Sequence, residues 1–596
     1  MKKTMTDLKS NLRLLLYAFG FILNDGKPYF LLTFLKAAIS ALALICYTLL
    51  PGFIINELIA QDITKTVLYA VLLVSATFLQ TSINAFLTVK ADSRKLVLRD
   101  QLGGIFFRQV VEMDYASFES PDILHMKEHA DNALDSVFTA VDSLAAIFSA
   151  VISFAIVFSV VAAINPLMIV FILGVVWINS VLTKRLNVRI YETNLELDNY
   201  WLTEWAADFQ MNDPSFAKEI RVFDIGGMLI DNWKTVRQQG NVMKHKMVSD
   251  TNKTSFYQAI VNLCKDIVLY AYSIFAVLTG RMAVGTMSIY ISAANQFSSN
   301  LGNVVKSYLN ISRVCMNIRD LKKFMDLPTA QEKAGTETTK FDRSSTIEFR
   351  NVSFQYPGSD RYALHNVNLT LHGDERLCIV GENGSGKSTF IKLLTGLYEP
   401  TEGEILLNGR KVPVYDHKAY QRLFSPAFQE FDKFYLSLGK NITPDREVDQ
   451  AKLDRVCRQL GLSSLVEKLQ NGYDTPVEKL TDMEGINPSG GELQKISIAR
   501  AVYSDREIYV LDEPTAALDP LAEYELYTKF QEIIAGKCAV LITHRLSAVQ
   551  LADRVAVFSD GGIIGCGTHQ ELYAKGGLYQ EMFDKQSEFY IKAKEQ

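Results

Sequence analysis

Two short stretches of the chain carry side chains able to hold and split a phosphate chain. Residues 381–389 read GENGSGKST, the GxxxxGK[ST] spacing of a loop that closes on an anion, built from Gly381, Asn383, Gly384, Ser385, Gly386, Lys387, Ser388 and Thr389. Its glycines let the backbone approach phosphate closely, so that amides and a helix N-terminus face the negative charge. Lys387 is placed to reach the β- and γ-phosphates, and the Ser388 hydroxyl to ligate magnesium. The second stretch, IYVLDEP, ends in Asp512 and Glu513. Adjacent side chains leave a strand on opposite sides, so one carboxylate can hold a magnesium ion while the other addresses water.

The surrounding pattern supplies the elements these residues need. Leu377–Val380 is an apolar run of buried-strand type ahead of the loop, and Phe390–Leu394 continues as a helix behind it. Ile508–Leu511 is a second such strand, and Leu541-Ile542-Thr543 a third, ending in His544. Between loop and carboxylates lies NPSGGELQKISIAR, in which Ser489, Gly490 and Gly491 open a helix. A phosphate loop alone marks many nucleotide-binding folds, paired acids at a strand end are often a solvated turn, and most histidines on apolar strands are core residues.

Taken in this order, GENGSGKST, SGGE and LDEPTAALDP resemble the ATPase domain of ABC transporters. The resemblance implies ATP and Mg2+ as cofactors, with Asp512 and Ser388 on the metal and Glu513 as general base toward the attacking water. It implies that His544 contacts the γ-phosphate, that Gln429 (PAFQEF) senses metal and water, and that Tyr356 (VSFQYPG) stacks on adenine. Asp519 falls in the family's D-loop. Ser489, Gly490 and Gly491 would bind the γ-phosphate of ATP held on the opposite subunit. Two residues depart from the usual LSGGQ: Pro488 and Glu492. Proline ahead of a helix cap removes only an amide that is not needed, whereas Glu492 weakens ATP binding if it faces the phosphates and does little if it faces away.

Overall, 48% of the 596 residues are hydrophobic, and the first half is the apolar one. Six long apolar stretches run from Pro28 to Ile59, Thr66 to Val89, Ala140 to Ile164, Pro166 to Leu182, Ser255 to Gly280 and Val284 to Ile311, against the ~20 residues that a bilayer requires. The two long connections carry Lys90, Arg94, Lys95, Arg99, Lys184, Arg185 and Arg189, which assigns them, both termini and the ATPase half to the cytoplasmic side of the cell membrane. The expected fold is a membrane α-helical domain of six transmembrane helices, of the ABC exporter type, followed by an α/β P-loop ATPase domain. The expected domains are a cytoplasmic elbow segment at 1–27, the membrane domain at 28–326, a linker at 327–345 and the ATP-binding domain at 346–596. Short coupling helices are expected at Tyr115–Leu124 and Pro214–Phe223. Lys2, Lys3, Lys9 and Arg13 precede an apolar run without a cleavage site, which reads as an interfacial helix and not a signal peptide.

What the ATPase drives is less sharply written. Ser292, Asn295, Gln296, Ser299, Asn300, Asn303 and Lys306 gather on one face of the sixth stretch, a face that must turn toward protein or a water-filled cavity. Asn262, Lys265, Asp266 and Lys36 add polar groups to the fifth and first, and adjacency sets Lys265 and Asp266 pointing apart without need of pairing. A polar wall and the resemblance of GELQKISIARAVY and FESPDIL to bacterial peptide and lantibiotic exporters point to peptide cargo. A lipid flippase or multidrug exporter, an exporter-shaped importer of metal chelates, and an ATP-gated regulator that moves nothing are the alternatives. Because each signature would complete the ATP site of another subunit, the family pattern implies a second half-transporter, with a homodimer favoured over a heterodimer. The seven cysteines lack CxxC spacing and the net charge is only −5, which points to neither zinc nor a nucleic-acid partner.

Overall fold

Prolines stand in the first turns of the helices Lys27–Ile59, Pro121–Ile164 and Pro166–Asn212, and an aspartate caps Tyr115–Phe118. In the computed structural model, residues 2–23, 26–164, 166–330, 334–429, 431–443, 447–478, 484–514, 520–543 and 549–592 are described. They fall into two compact units, residues 1–107 with 126–325, and residues 108–125 with 326–596.

The first unit is helical. Its elements are α1 (Lys2–Leu23), α2 (Lys27–Ile59), α3 (Ile63–Glu112), the short α4 (Tyr115–Phe118), α5 (Pro121–Ile164), α6 (Pro166–Asn212), α7 (Ala217–Val222), α8 (Gly226–Leu278) and α9 (Val284–Met325), with α4 and the adjoining ends of α3 and α5 belonging to the second unit. Pro121 and Pro166 stand at the first turns of α5 and α6, where a missing amide costs nothing. Among the described residues, α2, α3, α5, α6 and α8 contain stretches long and apolar enough to cross a membrane by length and composition. The sixth expected span also forms one unbroken helix, α9, but its polar stripe keeps it outside that apolar set. The second expected coupling segment is a 3-10 turn at Pro214–Phe216, capped by the Asp213 carboxylate, followed by α7.

Hydrogen bonds between helices take up Asn295 and Gln296 of the polar stripe and, further along α9, Asn310 and Asn317. Thr48 of α2 donates to Gln296 of α9 at 2.8 Å, Asn310 and Asn317 of α9 donate to Ser143 and Ser136 of α5 at 2.9 Å each, and Lys265 of α8 donates to Asn295 Oδ1 at 2.7 Å. In apolar surroundings such bonds fix which helices are neighbours. The expectation that Lys265 and Asp266 diverge is corrected: the Lys265 ammonium lies 3.0 Å from Asp266 Oδ1. Its flexible stem folds back because Lys265 is buried and a buried charge needs every partner within reach. Helices α2 and α9 come nearest at two glycines, where the Gly285 amide donates to Asn56 Oδ1 at 2.9 Å. A Cβ on Gly285 would stand 2.1 Å from the Gly52 carbonyl oxygen.

The second unit contains two sheets. An antiparallel sheet is ordered β2 (Tyr362–His372), β1 (Thr346–Gln355), β4 (Glu402–Leu407), β5 (Arg410–Lys411). A six-stranded sheet is ordered β10 (Gly562–Gly567), β9 (Arg554–Ser559), β3 (Arg376–Gly381), β8 (Cys538–Ile542), β7 (Ile508–Asp512), β6 (Phe424–Ala427), parallel throughout except for the β9–β10 pair. Strands β7 and β8 are buried at every position, as parallel strands covered on both faces must be. Residues 108–125 join this unit through Gln109 Nε2 donating to the Leu327 carbonyl at 2.7 Å and a bridge between Met113 and Thr329, while Ala116 packs against the core that includes Phe354, Phe390 and Tyr398.

The glycine crossing of α2 and α9 gives a paired test. Gly285→Ala must push two backbones apart and is expected to lower the midpoint of thermal denaturation of the purified protein, at a cost of about 1–3 kcal/mol. Gly302→Ala, on the same helix but with open space at the Cβ, should leave the midpoint unchanged or raise it. Equal losses in both variants would rule out the close crossing.

Candidate functional site

The C-terminal ends of β3, β6, β7 and β8 converge, and the chemistry-bearing residues of the sequence sit on them. After β3 the chain turns through Glu382–Ser385 into helix α10 (Lys387–Leu394). Gly386 is the N-cap of α10 in the left-handed region, with φ of 99°; a Cβ there would meet Ala363 O at 2.8 Å and Leu364 Cδ2 at 2.5 Å. Only glycine satisfies both demands. The Lys387 ammonium curls back over its own loop, donating to the carbonyls of Gly381 at 2.9 Å and Glu382 at 2.8 Å. Burial lowers its pKa against the opposing pull of Glu513 and Asp512.

Asp512 ends β7, paired in parallel register with Ile542 of β8. It is 4% exposed, and Oδ1 is buried without a hydrogen-bond partner. Burial pushes its carboxyl up to about 6; a hydrogen bond from Ser388 and the charge of Lys387 oppose the rise, and Glu513 adds to it. An orphaned anionic oxygen beside a serine hydroxyl is a donor set suited to a hard divalent cation, so Asp512 and Ser388 fit Mg2+. Glu513 follows in the left-handed region, with φ of 47°, a costly conformation for a residue with a Cβ. Its amide donates to the Ile542 carbonyl at 3.0 Å, and the turn sends its carboxylate toward Gln429, whose Nε2 donates to Oε2 at 3.2 Å.

Helix α11 (Gly490–Ser504) begins at Ser489, which is the N-cap and follows Pro488. The Glu492 carboxylate accepts from the Ser489 amide at 2.8 Å and from its hydroxyl at 2.7 Å, closing a capping box. These bonds hold the Glu492 carboxyl below the ordinary range. Of the two directions left open by the sequence, Glu492 therefore turns onto its own helix end. One turn on, Gln494 donates to the Glu513 carbonyl at 3.3 Å, tying α11 to the carboxylate pair. The sequence reading did not single out Gln494; a buried polar side chain on an otherwise apolar helix face was the available signal.

Tyr356 lies just past the end of β1, its hydroxyl sharing a hydrogen bond with Thr389 Oγ1 at 3.0 Å. The loop residues, Asp512, Glu513, Gln429 and Tyr356 are thus brought together. His544 and Asp519 lie outside the described residues.

Residues 364–516 match the family model described as ABC transporter, a stretch holding the phosphate loop, the SGGE helix start and the carboxylate pair. Residues 364–516 thus form a domain of the ABC transporter family. The chain is similar to the subtilin transport ATP-binding protein SpaT of Bacillus subtilis, 31% identical over 64% of this chain and 62% of that protein. The nisin transport ATP-binding protein NisT of Lactococcus lactis subsp. lactis is 30% identical over 62% of each chain. An ATP-dependent lipid A-core flippase of Escherichia coli (strain K12) is 30% identical over 62% of this chain and 63% of the flippase. The chain thus spans about 62% of the length of the curated relatives it matches. A bacterial Atm1-family ABC exporter solved with ATP bound has the same fold, with a TM-score of 0.75 over 94% of this chain and 98% of that one at 20% identity. The chain therefore has the fold of that exporter, with an ABC transporter domain at residues 364–516 and, among the described residues, five helices long and apolar enough to cross a membrane.

The strained electrostatics of Asp512 can be measured. A native carboxyl titrating near 6 binds more protons than its unfolded counterpart between about pH 4 and 6, so its contribution to stability falls as pH rises through that window. Asp512→Asn removes the burial penalty and should raise thermal stability at pH 7.5 in EDTA, by on the order of 1–3 kcal/mol. The same substitution should abolish the stabilisation that MgCl2 gives with nucleotide. A variant less stable than wild type in EDTA would show that the carboxylate is well solvated or paired.

Proposed function

We propose that this chain hydrolyses ATP to drive export of a substrate across the cytoplasmic membrane by alternating access, working as a dimer with two ATP sites at the interface of its nucleotide domains. The observation that carries the catalytic half is the geometry at the end of β7, where Asp512 keeps a buried oxygen beside Ser388 while Glu513 is turned toward Gln429. The amides of Gly381–Thr389 and the start of α10 bind the phosphate chain, and Lys387 swings from its two loop carbonyls onto the β- and γ-oxygens. Asp512 and Ser388 would hold Mg2+, which would supply neutralisation of the charge developing on the phosphates. Glu513, positioned by Gln429 and by its own backbone turn, takes a proton from the attacking water. Ser489, Gly490 and Gly491 address the γ-phosphate of the second subunit, and His544 and Asp519 complete the ring of contacts on the family pattern. The homodimer is favoured because one chain carries every group that two symmetric sites require.

The cargo we favour is a peptide. Its support is the polar stripe of α9, together with relatives named for subtilin and nisin transport. A lipid flippase is the second reading, favoured by the relatives of that name. Peptide uptake into inside-out vesicles driven by ATP separates the two from lipid translocation in proteoliposomes.

Glu513→Gln should lower ATP turnover by at least ~10²-fold while ATP binding is kept. Lys387→Ala should instead lose nucleotide affinity. Near-normal turnover in Glu513→Gln would overturn the assignment of the base, and undiminished ATP affinity in Lys387→Ala would overturn that of the phosphate loop.

A further inference from the structure

The helix that receives the phosphates carries a second cation. Lys392 lies one turn beyond Thr389 on α10, and its ammonium sits over three tyrosine rings: Tyr356 at 5.3 Å, Tyr115 at 5.6 Å and Tyr398 at 5.6 Å. The rings meet edge to face around it, with centroids 5.5 Å apart for both Tyr115–Tyr398 and Tyr356–Tyr398. One anion closes the cage: Glu119 lies 3.6 Å from Lys392 and accepts a hydrogen bond from the Tyr398 hydroxyl. Tyr115 and Glu119 belong to the α4 segment, which Asp114 caps by accepting from the Ser117 amide at 2.7 Å. Tyr356 is the ring assigned to adenine, and it also touches α10 through Thr389.

A cation shared among three π-faces and one carboxylate is sensitive to what each face does. A base stacked on Tyr356 fixes that ring and alters its pull on Lys392, and the phosphates fix α10, which carries the lysine. Both effects converge on a single ammonium whose remaining contacts lie on residues 115–119 and on Tyr398. A cavity of about 960 Å³, lined by Tyr115, Phe118, Leu397 and Tyr398 among others, leaves the segment room to shift.

We propose that Lys392, caged by Tyr115, Tyr356 and Tyr398, is the positioning residue that transmits nucleotide occupancy to the 114–119 segment, an inference that rests on the ATP-site reading above. The test uses the full chain in lipid nanodiscs and the non-hydrolysable analogue MgAMP-PNP, reading hydrogen–deuterium exchange of residues 113–125 with and without nucleotide and measuring the dissociation constant separately. Wild type is expected to show a nucleotide-dependent change in exchange there. In Lys392→Met that change should shrink at least fivefold while the dissociation constant moves less than threefold. Lys392→Arg, which keeps the charge, should retain the change, and Glu119→Gln, on the other side of the cage, should lose it. A full-sized change in Lys392→Met, or no change in wild type that binds nucleotide, overturns the proposal. Loss of nucleotide affinity in Lys392→Met matching that of Tyr356→Ala also overturns it, because the lysine would then merely support the base site. Failure of wild type to bind MgAMP-PNP would overturn the ATP-site reading itself, and is seen in the binding measurement before any exchange is compared.

Discussion

A carboxylate held out of water with one oxygen unpartnered opposes folding, and the second unit is arranged around that opposition. Asp512 cannot retreat, because β7 is clamped between β6 and β8 in parallel register, and a shift of one residue would exchange the side chains packed on its two buried faces. The desolvation that raises its pKa to about 6 is therefore imposed by strands whose other residues are fully buried. Lys387 answers in kind: it too is buried, its pKa lowered by desolvation, and the carboxylates on the facing strand end pull the other way. Nearby groups of opposite charge, each partly starved of solvent, leave the site favourable to a ligand carrying both signs, which is what a metal–nucleotide complex is.

Most of this was readable from residue order. The GxxxxGK[ST] spacing between an apolar run and a helix start placed the loop on the end of β3, and LDEP placed the acids on the end of β7, because spacing rules for loops and strand ends are local. Lys392 was invisible by comparison. Its partners Tyr115, Tyr356 and Tyr398 come from three separate regions, and Glu119 is 273 positions away in sequence. No period or motif joins such positions; only the sheet order and the return of residues 108–125 to the second unit do so. The same limit applied to Lys265 and Asp266, where adjacency suggested divergence and a long flexible stem overrode it.

In the helical unit, pattern and partner separate in the same way. The sequence shows that α9 has a polar face, and the physics of lipid shows that this face must be covered. Which residues cover it is a matter of packing: Thr48 for Gln296, Lys265 for Asn295, Ser143 for Asn310 and Ser136 for Asn317. Spending Asn295 and Gln296 on neighbouring helices removes those two from any cargo path, so that part of α9, with Asn310 and Asn317, is a register device that selects α2, α5 and α8 as neighbours. Asn300 is different, since its Nδ2 is buried without a hydrogen-bond partner. Such a donor costs free energy unless something else accepts from it.

The departure of SGGE from SGGQ has a structural consequence beyond charge. Glu492 satisfies both the amide and the hydroxyl of Ser489, a better acceptor for the cap than a neutral amide would be. The negative carboxylate also sits in the first turn of α11, where the helix dipole favours it. Both effects strengthen the helix start on which Gly490 and Gly491 present their amides. They also commit the Ser489 hydroxyl proton to an internal partner, so on the proposed reading a phosphate arriving there must displace a charged acceptor, where glutamine would yield more easily. The substitution thus exchanges ease of engagement at the signature for a firmer helix end, and the effect falls on the strength of that contact while leaving the backbone amides that define it in place.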